Sequence, residues 1–267
     1  MNICVCIKQV PDTAEIRIDP ETHTLVRAGV PSIVNPFDAY ALEAAVRLKE
    51  QSGGTVVVLS MGPEQAKNAI RDCLAAGADE GYLITGRRFG GSDTLATSYI
   101  LSAAIHKIEE LRMEAFDVIL CGKQAIDGDT AQVGPEISEH LGIPQITYAL
   151  GLAEKNGSLR VKRELEGGIA IVETRLPALV TVTKLPFEPR YPNIRSWKKA
   201  RRAQIRILTE EDLPLIDVGK IGLKGSPTRV VNTYVPDREK KGIRIEGATA
   251  EDKAEALFEQ LIQSGQL

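Results

Sequence analysis

Short apolar runs alternate with helical patterns along the first 144 residues. We expect strands over residues 2–10, 55–59, 81–84 and 116–120, and a small hairpin over residues 16–18 and 24–26. Helices are expected to begin at Asn35-Pro36, Pro63 and Pro135, since proline is tolerated in a first helical turn. A further helix is expected to begin at Ser92-Asp93. This alternation predicts an α/β fold, with a parallel sheet, right-handed crossovers and helices on both faces.

The pattern changes after residue 144. Residues 145–150, 159–163, 169–174 and 178–182 resemble strands joined by short turns, and they predict an antiparallel extension of the sheet. Residues 184–200 contain three prolines and predict a loop. We therefore expect an α/β domain over residues 1–218. Residues 219–267 would then form a C-terminal arm laid on a partner, closed by a helix that Thr249 and Asp252 cap.

Composition excludes several classes of function. The net charge of -3 and the pI of about 5.8 give no general attraction to nucleic acid, and no apolar run approaches the roughly 20 residues of a membrane span. The chain enters a strand directly, without a signal-peptide pattern, so a cytoplasmic location is expected. Four cysteines and three scattered histidines form no metal-ligand spacing. Cys4 and Cys6 are expected to be small buried apolar residues on one face of a strand.

The strongest chemical signal is the loop that joins the strand at 116–120 to the helix at Pro135. We call residues 122–134 the cradle loop; it is rich in glycine and small polar residues. Free backbone N–H groups should gather near residues 130–134, where the helix begins, and such amides bind phosphates. The loop therefore predicts a nucleotide site, although it has neither a GxGxxG sequence nor a P-loop lysine.

The cradle loop also resembles a known family. Gly122-Lys123-Gln124-Ala125-Ile126-Asp127-Gly128-Asp129, with Gln132 and Gly134, is similar to the nucleotide loop of the small (beta) subunit of electron-transfer flavoproteins. Three further segments agree in order and spacing: Ile7-Lys8-Gln9-Val10-Pro11-Asp12, Asn35-Pro36-Phe37-Asp38 with residues 41–45, and Glu188-Pro189-Arg190-Tyr191. The likeness covers nearly the whole chain.

The resemblance implies FAD, or alternatively AMP, in the small subunit. Cys6 is expected against the adenine with Asn35 and Met61 nearby, and Asp127 and Asp129 are expected to shape the loop or hold the ribose. The expected cofactor-binding residues are Cys6, Lys8, Val10, Pro11, Asp12, Asn35, Met61, Gly122, Gln124, Asp127, Gly128, Asp129, Thr130, Ala131, Gln132, Val133 and Gly134.

A second phosphate-ready element lies at residues 87–97, where paired glycines precede a helix start. Its Phe-Gly-Gly sequence is similar to that of the NADH-dependent, electron-bifurcating members of the family. The resemblance assigns NADH binding to Arg87, Phe89, Gly90, Gly91 and Thr94, and it implies that no side chain acts as a catalytic acid, base or nucleophile.

Residues 184–200 resemble the recognition loop that docks on a dehydrogenase, with Tyr191, Ile194 and Trp197 as contacts. The expected partners are the alpha subunit, a flavin-dependent dehydrogenase, and ferredoxin or flavodoxin; neither nucleic acid nor a membrane span is expected. Two other functions stay open: a non-bifurcating electron carrier that holds AMP structurally, and a stand-alone regulator that binds an adenine nucleotide. A plain surface loop at 184–200, and a solvated helix face for the basic residues 198–206, are the simpler alternatives.

Overall fold

The computed structural model describes residues 1–12, 31–231 and 242–267. The described residues form two units, one made of residues 1–12 and 31–231 and the other of residues 242–267. The hairpin expected over residues 16–18 and 24–26 lies outside the described residues.

Strands and helices alternate through most of the first unit. The strands are β1 (Asn2–Ile7), β2 (Gln9–Pro11), β3 (Ser32–Val34), β4 (Thr55–Met61), β5 (Glu80–Ile84), β6 (Val118–Gly122), β7 (Gln145–Lys155), β8 (Ser158–Leu165), β9 (Gly168–Arg175), β10 (Ala178–Val182) and β11 (Ile205–Leu208). The helices are α1 (Pro36–Ser52), α2 (Lys67–Ala75), α3 (Thr94–Arg112), α4 (Val133–Leu141), α5 (Ile194–Arg202), α6 (Gly222–Gly225) and, in the second unit, α7 (Ala250–Gln263).

One nine-stranded sheet organises the first unit. Its order is β11-β5-β4-β1-β6-β10-β7-β8-β9, and the pairs from β11 to β7 are parallel whereas β7, β8 and β9 pair antiparallel. Along the chain, β1 is followed by β4 and β5, which extend the sheet on one side of β1. The next strand, β6, pairs on the other side of β1, so the direction in which strands are added reverses there. The carboxyl ends of β1 and β6 therefore lie side by side where the order reverses, which is the usual ligand position in open parallel sheets.

Helices cover both faces of the sheet, as the alternation predicts. Ile3, Val5 and Ile7 point to one apolar core with α1 and α2, whereas Cys4 and Cys6 point to the other with α3 and α4. Because both faces are covered, the central strands read as continuous apolar runs. The expected α/β class, the parallel sheet and the antiparallel extension are confirmed.

Four local expectations were wrong. The strand expected over 2–10 is broken at Lys8, whose amide donates to the Asp38 carboxylate at 2.7 Å instead of to a strand. Strand β10, expected in the antiparallel extension, lies in parallel pairing between β6 and β7. Residues 194–200, the end of the segment expected as loop, belong to α5, because Asn193 and Ser196 make a capping box. Strand β11 was not expected at all.

The second unit contains α7. Thr249 and Asp252 cap it reciprocally: the Thr249 hydroxyl accepts from the Asp252 amide at 3.1 Å and the Asp252 carboxylate accepts from the Thr249 amide at 2.9 Å. The capping prediction is confirmed, whereas the domain boundary at residue 218 and the role of the arm stay predictions. Within the described ranges, no helix is both long enough and apolar enough to cross a membrane.

Candidate nucleotide-binding site

A cavity of about 350 Å³ lies at the reversal point between β1 and β6. Its walls are the carboxyl ends of these strands, the cradle loop and the first turns of α3 and α4. The lining residues are Cys6, Ile7, Lys8, Asp38, Met61, Ser92, Asp93, Thr94, Thr97, Leu101, Cys121, Gly122, Lys123, Gln124, Ala125, Gly128, Thr130, Ala131, Gln132, Val133 and Gly134. The volume lies at the lower end of the range of roughly 300–1,000 Å³ that ligand pockets occupy.

Asn35 holds the first half of the cradle loop in place. Its side chain is fully buried; the amide donates to the Gln124 carbonyl at 2.8 Å and its oxygen accepts from the Ile126 amide at 3.1 Å. Although Asn35 precedes α1, its side chain makes no cap bond to the backbone of that helix. It therefore lies behind the cavity wall, not in the wall as expected.

Asp38, in the first turn of α1, joins the ends of the two central strands. Its carboxylate accepts from the Lys8 amide at 2.7 Å and from the Gly122 amide at 3.1 Å. A Cβ on residue 122 would lie 2.2 Å from Asp38 Oδ1, so only glycine permits this approach. Burial raises the pKa of Asp38 to about 7, against the lowering effect of hydrogen bonds from Asn35, Lys8 and Gly122.

The second half of the loop has an unusual backbone. Asp129 and Ala131 adopt φ values of 51° and 54°, a region that few residues other than glycine enter. The Asp129 carboxylate accepts from Gln124 Nε2 at 2.7 Å, and Asp127 pairs with Lys8 Nζ at 2.6 Å. Both carboxylates are thus paired with side chains near the cavity but do not line it. Backbone in such conformations concentrates at ligand clamps.

Backbone donors are exposed at the end of the loop, where α4 begins. Within the described residues, the amides of residues 130–134 donate no hydrogen bond. Those of residues 133 and 134 open α4, where the first N–H groups of a helix lack intrahelical acceptors. The helix dipole adds partial positive charge at the same place. Lys8 and Lys123 are the nearest cations that line the cavity. This combination favours an anionic ligand.

The start of α3 approaches the start of α4 across the cavity. Thr94 Oγ1 donates to Glu136 Oε1 at 3.1 Å and lies 3.3 Å from Gln132 Oε1. The other Glu136 oxygen, Oε2, is buried and has no hydrogen-bond partner among the residues described. Ser92, Asp93, Thr94 and Thr97 of the second element therefore line the same cavity as the cradle loop, and the Thr94 hydroxyl contacts Gln132 of that loop directly.

Gly134 serves packing as well as the cavity. A Cβ at this position would lie 2.6 Å from Thr181 Cγ2 on β10 and 3.6 Å from Cys121 Cβ. The missing side chain therefore points toward the sheet, and glycine lets α4 lie close to β10.

The expected cofactor-binding residues divide into two groups. Those that line the cavity are Cys6, Lys8, Met61, Gly122, Gln124, Gly128, Thr130, Ala131, Gln132, Val133 and Gly134. Asn35, Asp127 and Asp129 brace the loop instead. Val10, Pro11 and Asp12 lie beyond the wall, because residues 9–11 turn away to pair with β3.

The second element is held by the chain near residue 222. We call residues 86–93 the second loop; within it Arg87, Gly90 and Gly91 are exposed, whereas the Phe89 ring is only 4% exposed and packs in the core. Phe89 therefore presents no free apolar face to a ligand, contrary to expectation.

Ser226 and Thr228 tie this segment to the second loop. Ser226 Oγ accepts from the Asp93 amide at 2.8 Å and donates to the Gly222 carbonyl at 2.8 Å. Asp93 caps α3 through Oδ1, while its Oδ2 accepts from the Thr228 amide at 3.0 Å. Gly91 has a φ of 77°, and a Cβ added to it would lie 3.3 Å from Leu223 Cβ. The start of α3 thus depends on residues 222–228.

The expected docking residues are on the surface. The exposed fractions are 94% for Tyr191, 78% for Ile194 and 39% for Trp197. Arg190 anchors the segment to α1 through Glu43 at 2.7 Å and Glu50 at 2.5 Å.

Sequence reasoning missed several cavity residues, above all Asp38, Asp93, Cys121 and Lys123. Asp38 and Lys123 lie within the quoted motifs, and Asp93 was read only as a helix start. Their positions follow from strand order, which no local pattern carries.

The fold and this cavity define a class, the doubly wound α/β proteins that bind a ligand at the reversal point of the sheet. The electron transfer flavoprotein domain matches residues 22–213 of the chain. The chain is 48% identical, over 98% of its length and 97% of the relative's, to the electron transfer flavoprotein subunit beta of Megasphaera elsdenii. It is 44% identical to the acryloyl-CoA reductase electron transfer subunit gamma of Anaerotignum propionicum and to the caffeyl-CoA reductase-Etf complex subunit CarD of Acetobacterium woodii, over 98% of both chains in each case.

The chain belongs to the electron-transfer flavoprotein family, and its relatives include beta subunits of that family. The expected family is thus confirmed.

Proposed function

We propose that this chain is the small subunit of a heterodimeric electron-transfer flavoprotein and that its cavity binds the adenine nucleotide part of FAD. The observation that carries the proposal is the row of unbonded amides at residues 130–134, which line a cavity at the end of β1 and β6. Pyrophosphates bind at such helix starts.

The residues present fit a phosphate-bearing cofactor. The open amides and the α4 dipole attract an anion. Lys123 also lines the cavity, and Lys8, which pairs with Asp127, would be shared between that carboxylate and the phosphate. The two carboxylates that line the cavity accept hydrogen bonds from backbone amides, Asp38 from Lys8 and Gly122 and Asp93 from Ala96 and Thr228. In the cradle loop, Asp127 is paired with Lys8 and Asp129 with Gln124. Cys6 and Met61 supply the apolar part of the wall for a purine ring.

A bound FAD supplies hydride acceptance and one-electron transfer, and the chain supplies binding and orientation. Asn35 and Asp38 fix the cradle loop and the strand ends, so that the phosphate donors are in place before the ligand arrives. We assign no acid, base or nucleophile to the reaction.

We further propose that NADH donates the hydride and approaches along the second loop. Support comes from the adjacency of Thr94 to the cradle loop and from the exposed backbone of Gly90 and Gly91. The electron pair would divide between ferredoxin or flavodoxin and, through a flavin of the alpha subunit, a dehydrogenase. Two relatives are named as parts of acyl-CoA-type reductase systems, which is compatible with such a dehydrogenase partner.

A second candidate is a non-bifurcating carrier that holds AMP structurally. The cavity volume of about 350 Å³ favours it, because this chain alone encloses space nearer to a mononucleotide than to a whole dinucleotide.

One experiment separates the two. The heterodimer is purified, its nucleotides are released with acid and separated by chromatography, and the protein is titrated anaerobically with NADH while flavin absorbance is recorded. A flavin in each subunit and bleaching by NADH support the proposal. AMP in the small subunit with no bleaching by NADH would establish the carrier instead.

The docking proposal has its own test, Ile194→Asp. Because Ile194 is 78% exposed, stability should be unchanged, whereas a charge that must be desolvated at the interface should reduce electron delivery to the dehydrogenase at least tenfold. NADH-driven flavin reduction should be unaffected. Leu215→Asp, at a site elsewhere that is 96% exposed, is the control, and equal loss in both variants contradicts the assignment.

A further inference from the structure

We infer that Cys6 and Cys121 form a peroxide-sensitive dithiol at the floor of the nucleotide cavity, which closes to a disulfide only while the cavity is empty. The inference rests on the proposed function in one respect: the nucleotide is what covers the two thiols.

The register of the sheet places the two cysteines opposite each other. Cys6 on β1 pairs with Cys121 on β6 in the parallel ladder. Neighbouring strands lie about 4.8 Å apart, and disulfides span Cα separations of about 4.4–6.8 Å. Both side chains point to the α3 and α4 face of the sheet, so the sulfurs face the same space.

Exposure separates these two cysteines from the others. All four cysteines are described, free and buried, but only Cys6, at 8% exposed, and Cys121, at 6%, line the cavity. Cys4 lies on the same strand face, fully buried beneath them. Cys73 lies on α2, in the core on the opposite face of the sheet. A reagent as small as peroxide can therefore reach one pair and neither of the remaining thiols.

The surroundings make the pair unequal. Hydrogen bonds from Cys121 and then Cys4 lower the pKa of Cys6, although burial opposes this effect. The hydrogen bond to Cys6 and burial raise the pKa of Cys121. The thiolate is the nucleophilic form of cysteine, so Cys6 is the attacking sulfur and Cys121 the resolving one.

The chemistry balances with hydrogen peroxide as the oxidant. The Cys6 thiolate attacks one peroxide oxygen, an S–O bond forms, the O–O bond breaks, and the leaving hydroxide takes a proton to become water. The Cys121 sulfur then attacks the Cys6 sulfenic acid, the S–S bond forms, the S–O bond breaks, and a second water leaves with the Cys121 proton. Two thiols and one peroxide thus give one disulfide and two waters.

A nucleotide blocks this sequence by filling the space over Cys6. The dithiol therefore distinguishes loaded subunits from empty ones, and oxidation marks the empty ones. An added dithiol reagent reduces the Cys6–Cys121 disulfide again, since exchange needs only an attacking thiolate with access to the bond.

The test uses the heterodimer as purified and after removal of its nucleotide by dialysis against a chaotropic salt. Both forms are treated with a modest excess of hydrogen peroxide, blocked with an alkylating agent, and digested for peptide mass spectrometry. We expect a Cys6–Cys121 disulfide to form at least tenfold faster in the empty form, with Cys4 and Cys73 still reduced in both forms.

The variants Cys6→Ser and Cys121→Ser should abolish the cross-link, whereas Cys4→Ser and Cys73→Ser should retain it. In Cys121→Ser, Cys6 should stop at the sulfenic acid, which a dimedone probe detects. Reaction of Cys6 no faster than that of Cys73 in the empty form overturns the inference.

Failure of the nucleotide site gives a different result. If the pair closes equally in both preparations while chromatography shows no nucleotide in the small subunit, the proposed function fails and the dithiol stands. Equal closure in a preparation that does contain nucleotide overturns the gating.

Discussion

The cradle loop and the second loop meet at the same cavity but are held by different parts of the chain. Asn35 and Asp38, side chains at the start of α1, hold the cradle loop through hydrogen bonds in the core of the first unit. The second loop is held by Ser226 and Thr228, which follow far along the chain. The difference implies that retention of the nucleotide depends on the stability of the core. Binding of NADH along the second loop depends instead on the hydrogen bonds made by residues 222–228.

The largest effect is expected from Asn35→Ala. It leaves the Gln124 carbonyl and the Ile126 amide without partners, and a buried unsatisfied group costs about 1–3 kcal/mol. We expect a lower free energy of unfolding in urea and at least a tenfold loss of nucleotide. Asn193→Ala, at an exposed helix cap, should cost about 1 kcal/mol and keep the nucleotide. Full nucleotide content in Asn35→Ala would refute the bracing role.

Asp38 should make the free energy of unfolding depend on pH. An unfolded Asp loses its proton near pH 4, whereas folded Asp38 retains it to about pH 7. The stabilising contribution is therefore complete below pH 4 and is lost as the pH rises toward 7. Relative to Asp38→Asn, the wild type should lose up to about 1.4 kcal/mol per pH unit across this window.

Urea unfolding at a series of pH values measures the difference between wild type and Asp38→Asn. The exposed Asp12→Asn serves as the matched control. A difference between wild type and Asp38→Asn that does not change from pH 4 to 8 contradicts the assignment.

Gly134 tests whether the cradle side depends on packing. Gly134→Ala places a Cβ 2.6 Å from the Thr181 methyl. Overpacking of this kind should lower the free energy of unfolding, measured in urea, by about 1–3 kcal/mol. The double variant with Thr181→Ser removes that methyl while keeping the hydroxyl that accepts from the Tyr148 amide, so it should recover most of the loss. Gly128→Ala, with nothing within 4 Å, should be nearly neutral. Failure of the rescue would contradict the contact with the Thr181 methyl as the source of the loss.

The sequence predicts these two loops unequally well. The cradle loop was predictable because its signals are local: a covered strand, glycines, and a proline in the first turn of α4. The bracing by Asn35 and Asp38 was not, because their partners at Gln124 and Gly122 lie more than 80 residues away.

The parallel placement of β10 was missed for a related reason. A strand that follows a hairpin by a short turn reads locally like another antiparallel strand, whereas β10 actually fills the gap between β6 and β7. Phe89 was misjudged because a Phe-Gly-Gly sequence does not reveal on which side of the loop the ring lies.

The smallest effect on stability, and the sharpest separation of the two loops, is expected from Ser226→Ala. The variant removes the acceptor of the Asp93 amide and the donor to the Gly222 carbonyl, at a cost of about 1 kcal/mol. Because the α3 start then loosens while Asn35 and Asp38 are untouched, the NADH concentration for half-maximal flavin bleaching should rise several-fold with nucleotide content unchanged. Stopped-flow titration measures the NADH concentration for half-maximal bleaching, and acid release measures the nucleotide content.

The control variant is Ser52→Ala, which removes an exposed hydroxyl bonded to the Leu48 carbonyl and should change neither quantity. Loss of nucleotide in Ser226→Ala, on the scale seen with Asn35→Ala, would show that the loops are held as one structure, because the only disturbed bonds lie on the side of residues 222–228.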